Sequence, residues 1–86
     1  MKSLRWDVQK SEQLKTTRGV SFEELIHAPL IAVKQHPKRA RQRLMLFDYK
    51  GYIWVVPFVE DARGLFLKTL FPSRQYTRLY RGGEVQ

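Results

Sequence analysis

The stretch RLMLFDY-KG-YIWVVPFV, residues 43–59, decides the fold. Two apolar runs, rich in β-branched and aromatic residues, flank the pair Lys50-Gly51. That pair predicts a two-residue hairpin turn, because glycine accepts positive φ at no steric cost. The register that follows sets Tyr49 against Tyr52, Phe47 against Trp54 and Met45 against Val56 on one face. Leu46 then meets Val55 on the other. Both faces are apolar, so the hairpin is central and covered by helix on at least one side. Pro57 cannot donate to a ladder and marks a bulge or an edge-facing position.

Outward from the hairpin, the upstream third reads as helical. Asp7 is an N-cap, with Trp6 before it as a staple. A helix is expected over Val8–Thr17, with an apolar stripe of Val8, Leu14 and the stems of Lys10 and Lys15, ending at Gly19 as a left-handed C-cap. Ser21-Phe22-Glu23-Glu24 is a capping box opening a second helix, which buries Phe22, Leu25 and Ile26 and stops at Pro29. A strand, Leu30–Lys34, and a basic loop then lead into the hairpin. Downstream, a fourth strand is expected over Leu65–Phe71. Pro72-Ser73 opens a short helix, Arg74–Tyr80, and Gly82-Gly83 begins a frayed tail. The order α-α-β-β-β-β-α predicts an α+β fold with two N-terminal helices, a four-stranded antiparallel sheet and a short C-terminal helix. Residues 1–86 read as one domain, with no internal repeat.

Composition narrows the function. The 86 residues hold sixteen Lys or Arg against eight Asp or Glu, a net charge of +8. Hydrophobic residues are 43% and aromatics 13%, enough for a folded core. No apolar run approaches the ~18–20 residues that span a bilayer, and nothing resembles a signal peptide, so a cytoplasmic protein without a membrane partner is expected. With no cysteine, thiol catalysis and cysteine-ligated metal are excluded. The histidines, His27 and His36, have no metal-ligand spacing with acids, and neither a metal nor another cofactor is expected. His27, at a helix end, reads as a packing residue.

The charge is clustered. Leu25–Phe47 contains no acid, yet carries Lys34, Lys38, Arg39, Arg41 and Arg43. Ala62–Gly83 contains none either, and carries Arg63, Lys68, Arg74, Arg78 and Arg81. A small sheet can merge the two into one surface that attracts a phosphate backbone. Tyr76 and Tyr80 lie among the last arginines, where exposed rings would stack on single-stranded bases; four apart, they equally form the buried stripe of the last helix, the reading expected for Tyr80, while Tyr76 stays open. Metal-free RNA cleavage needs little more, because the ribose 2′-hydroxyl is itself the nucleophile. The protein must align the backbone and stabilise the phosphorane oxygens. Arg43, Lys68 and Arg74 are the expected catalytic cations, with Tyr76 or His36 handling protons. Arg18, Lys38, Arg39, Arg41, Arg78 and Arg81 are the expected RNA-binding residues. The alternative is a non-catalytic basic module that binds RNA or an acidic protein.

Trp6-Asp7, Lys10 and Gly19-Val20-Ser21-Phe22-Glu23-Glu24, with Ser73-Arg74, Arg78, Leu79 and Tyr80 at the end, resemble the BrnT family of small bacterial toxins. The resemblance runs from Trp6 to Tyr80. It departs from the family pattern at Leu14, Thr17-Arg18, Leu70-Phe71 and Tyr76. It implies a RelE-like ribonuclease fold and a type II toxin–antitoxin module. The toxin would be an endoribonuclease that halts translation. A cognate antitoxin of ribbon-helix-helix type would neutralise it, and operator DNA would be reached only through that antitoxin.

Overall fold

The hairpin forms in the expected register. In the computed structural model, which describes residues 3–81, the elements in chain order are β1 (Leu4–Arg5), α1 (Val8–Arg18), α2 (Phe22–Leu25), β2 (Leu30–Gln35), β3 (Arg43–Tyr49), β4 (Tyr52–Asp61), β5 (Gly64–Leu67), β6 (Phe71–Pro72) and α3 (Arg74–Arg81). Tyr49 pairs with Tyr52, Phe47 with Trp54, Leu46 with Val55 and Met45 with Val56. Lys50 and Gly51 both have positive φ, +52° and +82°, as a turn matched to strand twist requires. The glycine pair Gly82-Gly83 lies outside the described residues.

The sheet is not the four-stranded antiparallel one expected. Six strands are described, in the order β1-β5-β4-β3-β2, with β6 also on β4, and the sheet is mixed. The first correction is at the start of the chain. β1 precedes the helices and pairs parallel to β5, Leu4 opposite Leu65 and Arg5 opposite Phe66. The helices therefore lie between two strands of one sheet rather than ahead of it. Gly64 (φ +129°) permits this docking: a Cβ there would sit 2.4 Å from the Ser3 carbonyl oxygen, which accepts the Leu65 amide at 2.9 Å.

The second correction is in the expected strand 65–71, which is broken into β5 and β6. Pro57 is the cause. Its carbonyl accepts the Lys68 amide at 2.8 Å, so its backbone faces β5. The ladder bond that should return from its nitrogen is missing. Phe58 stands opposite Leu67, but Val55 stands opposite Phe71, so one extra residue bulges between them. The Leu70 carbonyl, outside the ladder, accepts from the Arg18 guanidinium instead.

The N-terminal helices are fixed by their caps. The Asp7 carboxylate accepts the amides of Gln9 and Lys10 at 2.9 and 3.3 Å. Gly19 (φ +82°) closes α1, and Ser21 and Glu24 form the reciprocal capping box of α2. Each such cap contributes about 1 kcal/mol. The stripe of α1 differs from expectation: Leu14 and Ser11 are buried, while Val8 is exposed. Trp6 staples α2 rather than α1. Its ring lies 6.0 Å from that of Phe22, and its Nε1 donates to Glu23 at 3.1 Å.

The sheet has an apolar core on each face. On one, Met45, Phe47, Trp54, Val56, Phe58, Leu67 and Leu70 pack with Leu14, Phe22 and Leu25 of α1 and α2. On the other, Leu44, Leu46, Ile53 and Val55 pack with Tyr76 of α3. α3 is seated by two bonds to the start of β4: the Ser73 amide donates to the Ile53 carbonyl at 2.9 Å, and the Ile53 amide donates to Thr77 Oγ1 at 2.8 Å. No described helix is long and apolar enough to cross a membrane.

Candidate nucleic-acid interface

Strand alternation assigns each cation to a face. Lys34 pairs with Leu44, Leu44 with Pro57, and Lys68 donates its amide to Pro57. Leu44 lies in the core under α3. The four residues thus form one transverse row on the α3 face, Lys34·Leu44·Pro57·Lys68. Three strand spacings put the two lysine Cα atoms roughly 14 Å apart. Leu44 and Pro57 between them are buried, and Lys68 is exposed.

α3 lies beside this row. Tyr76 is half-buried against Leu44, Leu46, Ile53 and Val55. Its ring centroid is 6.4 Å from that of Tyr80, and the Lys34 ammonium lies 5.7 Å from the Tyr80 ring. Tyr80 is partly exposed rather than buried. Arg74 and Arg78, one turn apart, are exposed. Arg81 instead pairs with Asp48 of β3 at 2.7 Å. That pair ties the end of α3 to the sheet.

The structure therefore puts Lys34 and Lys68 on the sheet face where Tyr76 packs, and sets Tyr80 beside Lys34; Arg74 and Arg78 are exposed on α3. Sequence reasoning placed Lys34 in a basic run without assigning it a role. The signal was available: Lys34 is ten residues before Leu44, and a hairpin-like pairing through the loop puts the two opposite. Arg43 is not brought to this group. It pairs with Phe58, on the opposite face with Met45. Its guanidinium bonds Glu60 at 2.9 Å and lies 5.1 Å from the Phe58 ring. Arg18 is also elsewhere, spent on the Leu70 carbonyl.

Lys38, Arg39 and Arg41 are exposed on the loop joining β2 to β3. That loop is ordered by its neighbours. The Gln35 amide group donates to the carbonyls of Ala40 and Gln42 at 2.9 and 3.2 Å. His36 Nδ1 accepts the amides of Lys38 and Arg39 at 3.0 and 3.1 Å. His36 therefore caps the backbone of its own loop. His27, read as a packing residue, is exposed.

Two of the acids serve the fold. Asp61 accepts both oxygens' worth of Arg5 guanidinium at 2.7 Å and the Arg63 amide at 2.8 Å, and these hold its carboxyl below the usual range. The Glu24 carboxyl is lowered to about 2 by Lys15, with help from the Ser21 amide. Both of these arrangements serve the fold. Among the described residues of the α3 face, Lys34, Lys68, Tyr76 and Tyr80 carry exchangeable side-chain protons.

This β-sheet, clasped by α1 and α2 on one side and α3 on the other, has a divergent form of the BrnT toxin fold. The solved structure that shows it is the ribonuclease toxin BrnT of Brucella abortus, at TM-score 0.56 and 18% identity, covering 87% of this chain and 100% of that one. No protein-family model and no curated protein sequence matches the chain.

Proposed function

We propose that this chain is an RNA-cleaving toxin of a type II toxin–antitoxin system, and that the α3 face is its RNA groove. The observation that carries the reading is the row Lys34·Leu44·Pro57·Lys68 on the sheet face where Tyr76 of α3 packs, with Arg74 and Arg78 exposed on that helix, on a fold shared with a ribonuclease toxin. In this mechanism the 2′-hydroxyl attacks the adjacent phosphodiester, so the nucleophile arrives with the substrate. Lys68 and Arg74 stabilise the charge that builds on the phosphorane oxygens. The bond to the 5′-oxygen breaks, leaving a 2′,3′-cyclic phosphate and a 5′-hydroxyl; Tyr76 passes the 2′-hydroxyl proton toward the leaving 5′-oxygen, while Lys68 stays charged. Lys34, Arg78 and the loop cations Lys38, Arg39 and Arg41 hold the backbone in line. A single domain of residues 1–86 would carry this, in the cytoplasm, masked by a ribbon-helix-helix antitoxin through which operator DNA is bound.

The engaged state of His36, Glu60 and Asp61 favours a second reading, a non-catalytic basic module that binds RNA or an acidic protein. Expression of the chain alone separates the two. A toxin arrests growth and degrades RNA, and Lys68→Ala or Arg74→Ala relieves both while the protein stays folded. Loss of one such oxyanion-stabilising cation should slow cleavage by about 10²–10³. A binding module gives salt-sensitive RNA association with intact RNA and normal growth.

A further inference from the structure

β2 ends the sheet among the described residues, and no described strand pairs with its outer side. The His36 amide donates to the carbonyl of Gln42, just before β3, so by alternation Lys34 and Ala32 also turn their backbone groups toward β3. Val33 and Gln35 turn theirs outward, where no described strand lies; the register shift between Leu30 and Ala32 breaks the alternation before that. The side chains are bare too. Leu30, Ile31 and Val33 are 50%, 39% and 48% exposed, three of the seven exposed large apolar residues described. An edge strand of this length is normally blunted by charge, a bulge or a cover. Here the pairing is irregular only between Leu30 and Ala32, and the one charge, Lys34, lies against Tyr80 on the α3 face.

The geometry points to β2 as a docking edge for an extended segment of a protein partner, in which carboxylates alternate with apolar residues. The apolar half of that description comes from Leu30, Ile31 and Val33. The acidic half comes from charge. From Leu25 to Phe47 the chain has no acid, and β2 runs directly into the loop bearing Lys38, Arg39 and Arg41. β2 and the loop after it thus carry only positive charge. A second copy of the chain is the wrong occupant, because it brings +8 against +8. A docked acidic strand would also lie beside Lys34, at the end of the cationic row, and would screen it. Only this masking consequence rests on the reading of the α3 face as an RNA groove; the docking does not.

The test uses the whole protein and a fluorescent twelve-residue peptide alternating valine and glutamate, with a valine–lysine peptide as control. The acidic peptide should bind saturably and at least tenfold more tightly than the control. Val33→Pro should weaken it at least tenfold without lowering the melting temperature, since the lost N–H points outward and is not in the β3 ladder. If Val33→Pro no longer melts cooperatively, the double variant Ile31→Thr/Val33→Thr, which removes the apolar contact without adding charge, replaces it with the same expectation. Equal binding of the two peptides, or binding indifferent to the edge variants, overturns the proposal. So does a dimer in solution that Val33→Pro dissociates. Growth arrest by Val33→Pro is scored in parallel. Arrest without edge-dependent peptide binding sinks the docking edge alone, and edge-dependent binding without arrest by the parent chain sinks the toxin reading alone.

Discussion

Ser11→Ala should destabilise the protein more than any other loss of a single hydroxyl in α1. Ser11 is 1% exposed. Its Oγ accepts the Phe22 amide at 2.9 Å and donates to Glu23 Oε1. Trp6 Nε1 holds the other oxygen of that carboxylate at 3.1 Å, so one serine joins α1, α2 and the segment after β1. Alanine leaves the Phe22 amide buried and unpaired, a cost of about 1–3 kcal/mol. Glu23 is exposed, and water takes over much of its lost bond. Better helix propensity returns about 0.5 kcal/mol. The net loss is ~2 kcal/mol, which in a domain of this size lowers the melting temperature by roughly 8–16 °C. Thermal denaturation followed by far-ultraviolet circular dichroism reads this directly. A fall of less than about 2 °C would refute the reasoning, because it would mean that the Phe22 amide has another partner.

Other consequences are equally open to measurement. Glu24 is held near 2 by Lys15, against about 4.3 in an unfolded chain. A carboxyl lowered on folding stabilises above its unfolded value and loses that contribution as pH falls toward the folded one. Glu23, lowered by Ser11, and Asp61, lowered by Arg5, act in the same sense. The melting temperature should therefore drop between pH 5 and 2, and Glu24→Gln should flatten part of that drop. Gly64→Ala should cost about 1–3 kcal/mol through its positive φ and should speed hydrogen exchange at the Leu65 amide, whose acceptor is the Ser3 carbonyl. RNA association should weaken with salt, and Lys68→Ala and Arg74→Ala should each reduce the slope of log K against log salt by about 0.7 if each cation meets one phosphate.

Local signals were the legible ones. A positive-φ pair at Lys50-Gly51 fixes the hairpin register, and a reciprocal box at Ser21 and Glu24 fixes the start of α2. The residues that resemble the toxin family at the chain's opening are of this kind. Trp6, Asp7, Gly19, Ser21, Glu23 and Glu24 are caps, staples and their bonds, so they report the fold and not the chemistry. What escaped was non-local. Two residues, Leu4 and Arg5, carry no periodicity, and their parallel partner lies some sixty positions away. Pro57 announced a bulge in its own strand, but the break fell on its neighbour, at Lys68–Leu70. Arg43 shows a missed inference of another sort. Period-2 alternation from Met45 already put it on the face away from Lys68, yet the merged basic surface was drawn from sequence proximity to the loop.

The central claim is that the α3 face cuts RNA using the substrate's own 2′-hydroxyl. The most direct measurement incubates the purified chain with labelled RNA in a chelator of divalent metals, with and without ribosomes, beside the same RNA carrying 2′-deoxyribose at the cut position. The account predicts cleavage of the first to 2′,3′-cyclic phosphate ends, none of the second, and loss of cleavage in Lys68→Ala. Cleavage of the deoxy substrate, or RNA left intact under both conditions, would contradict it.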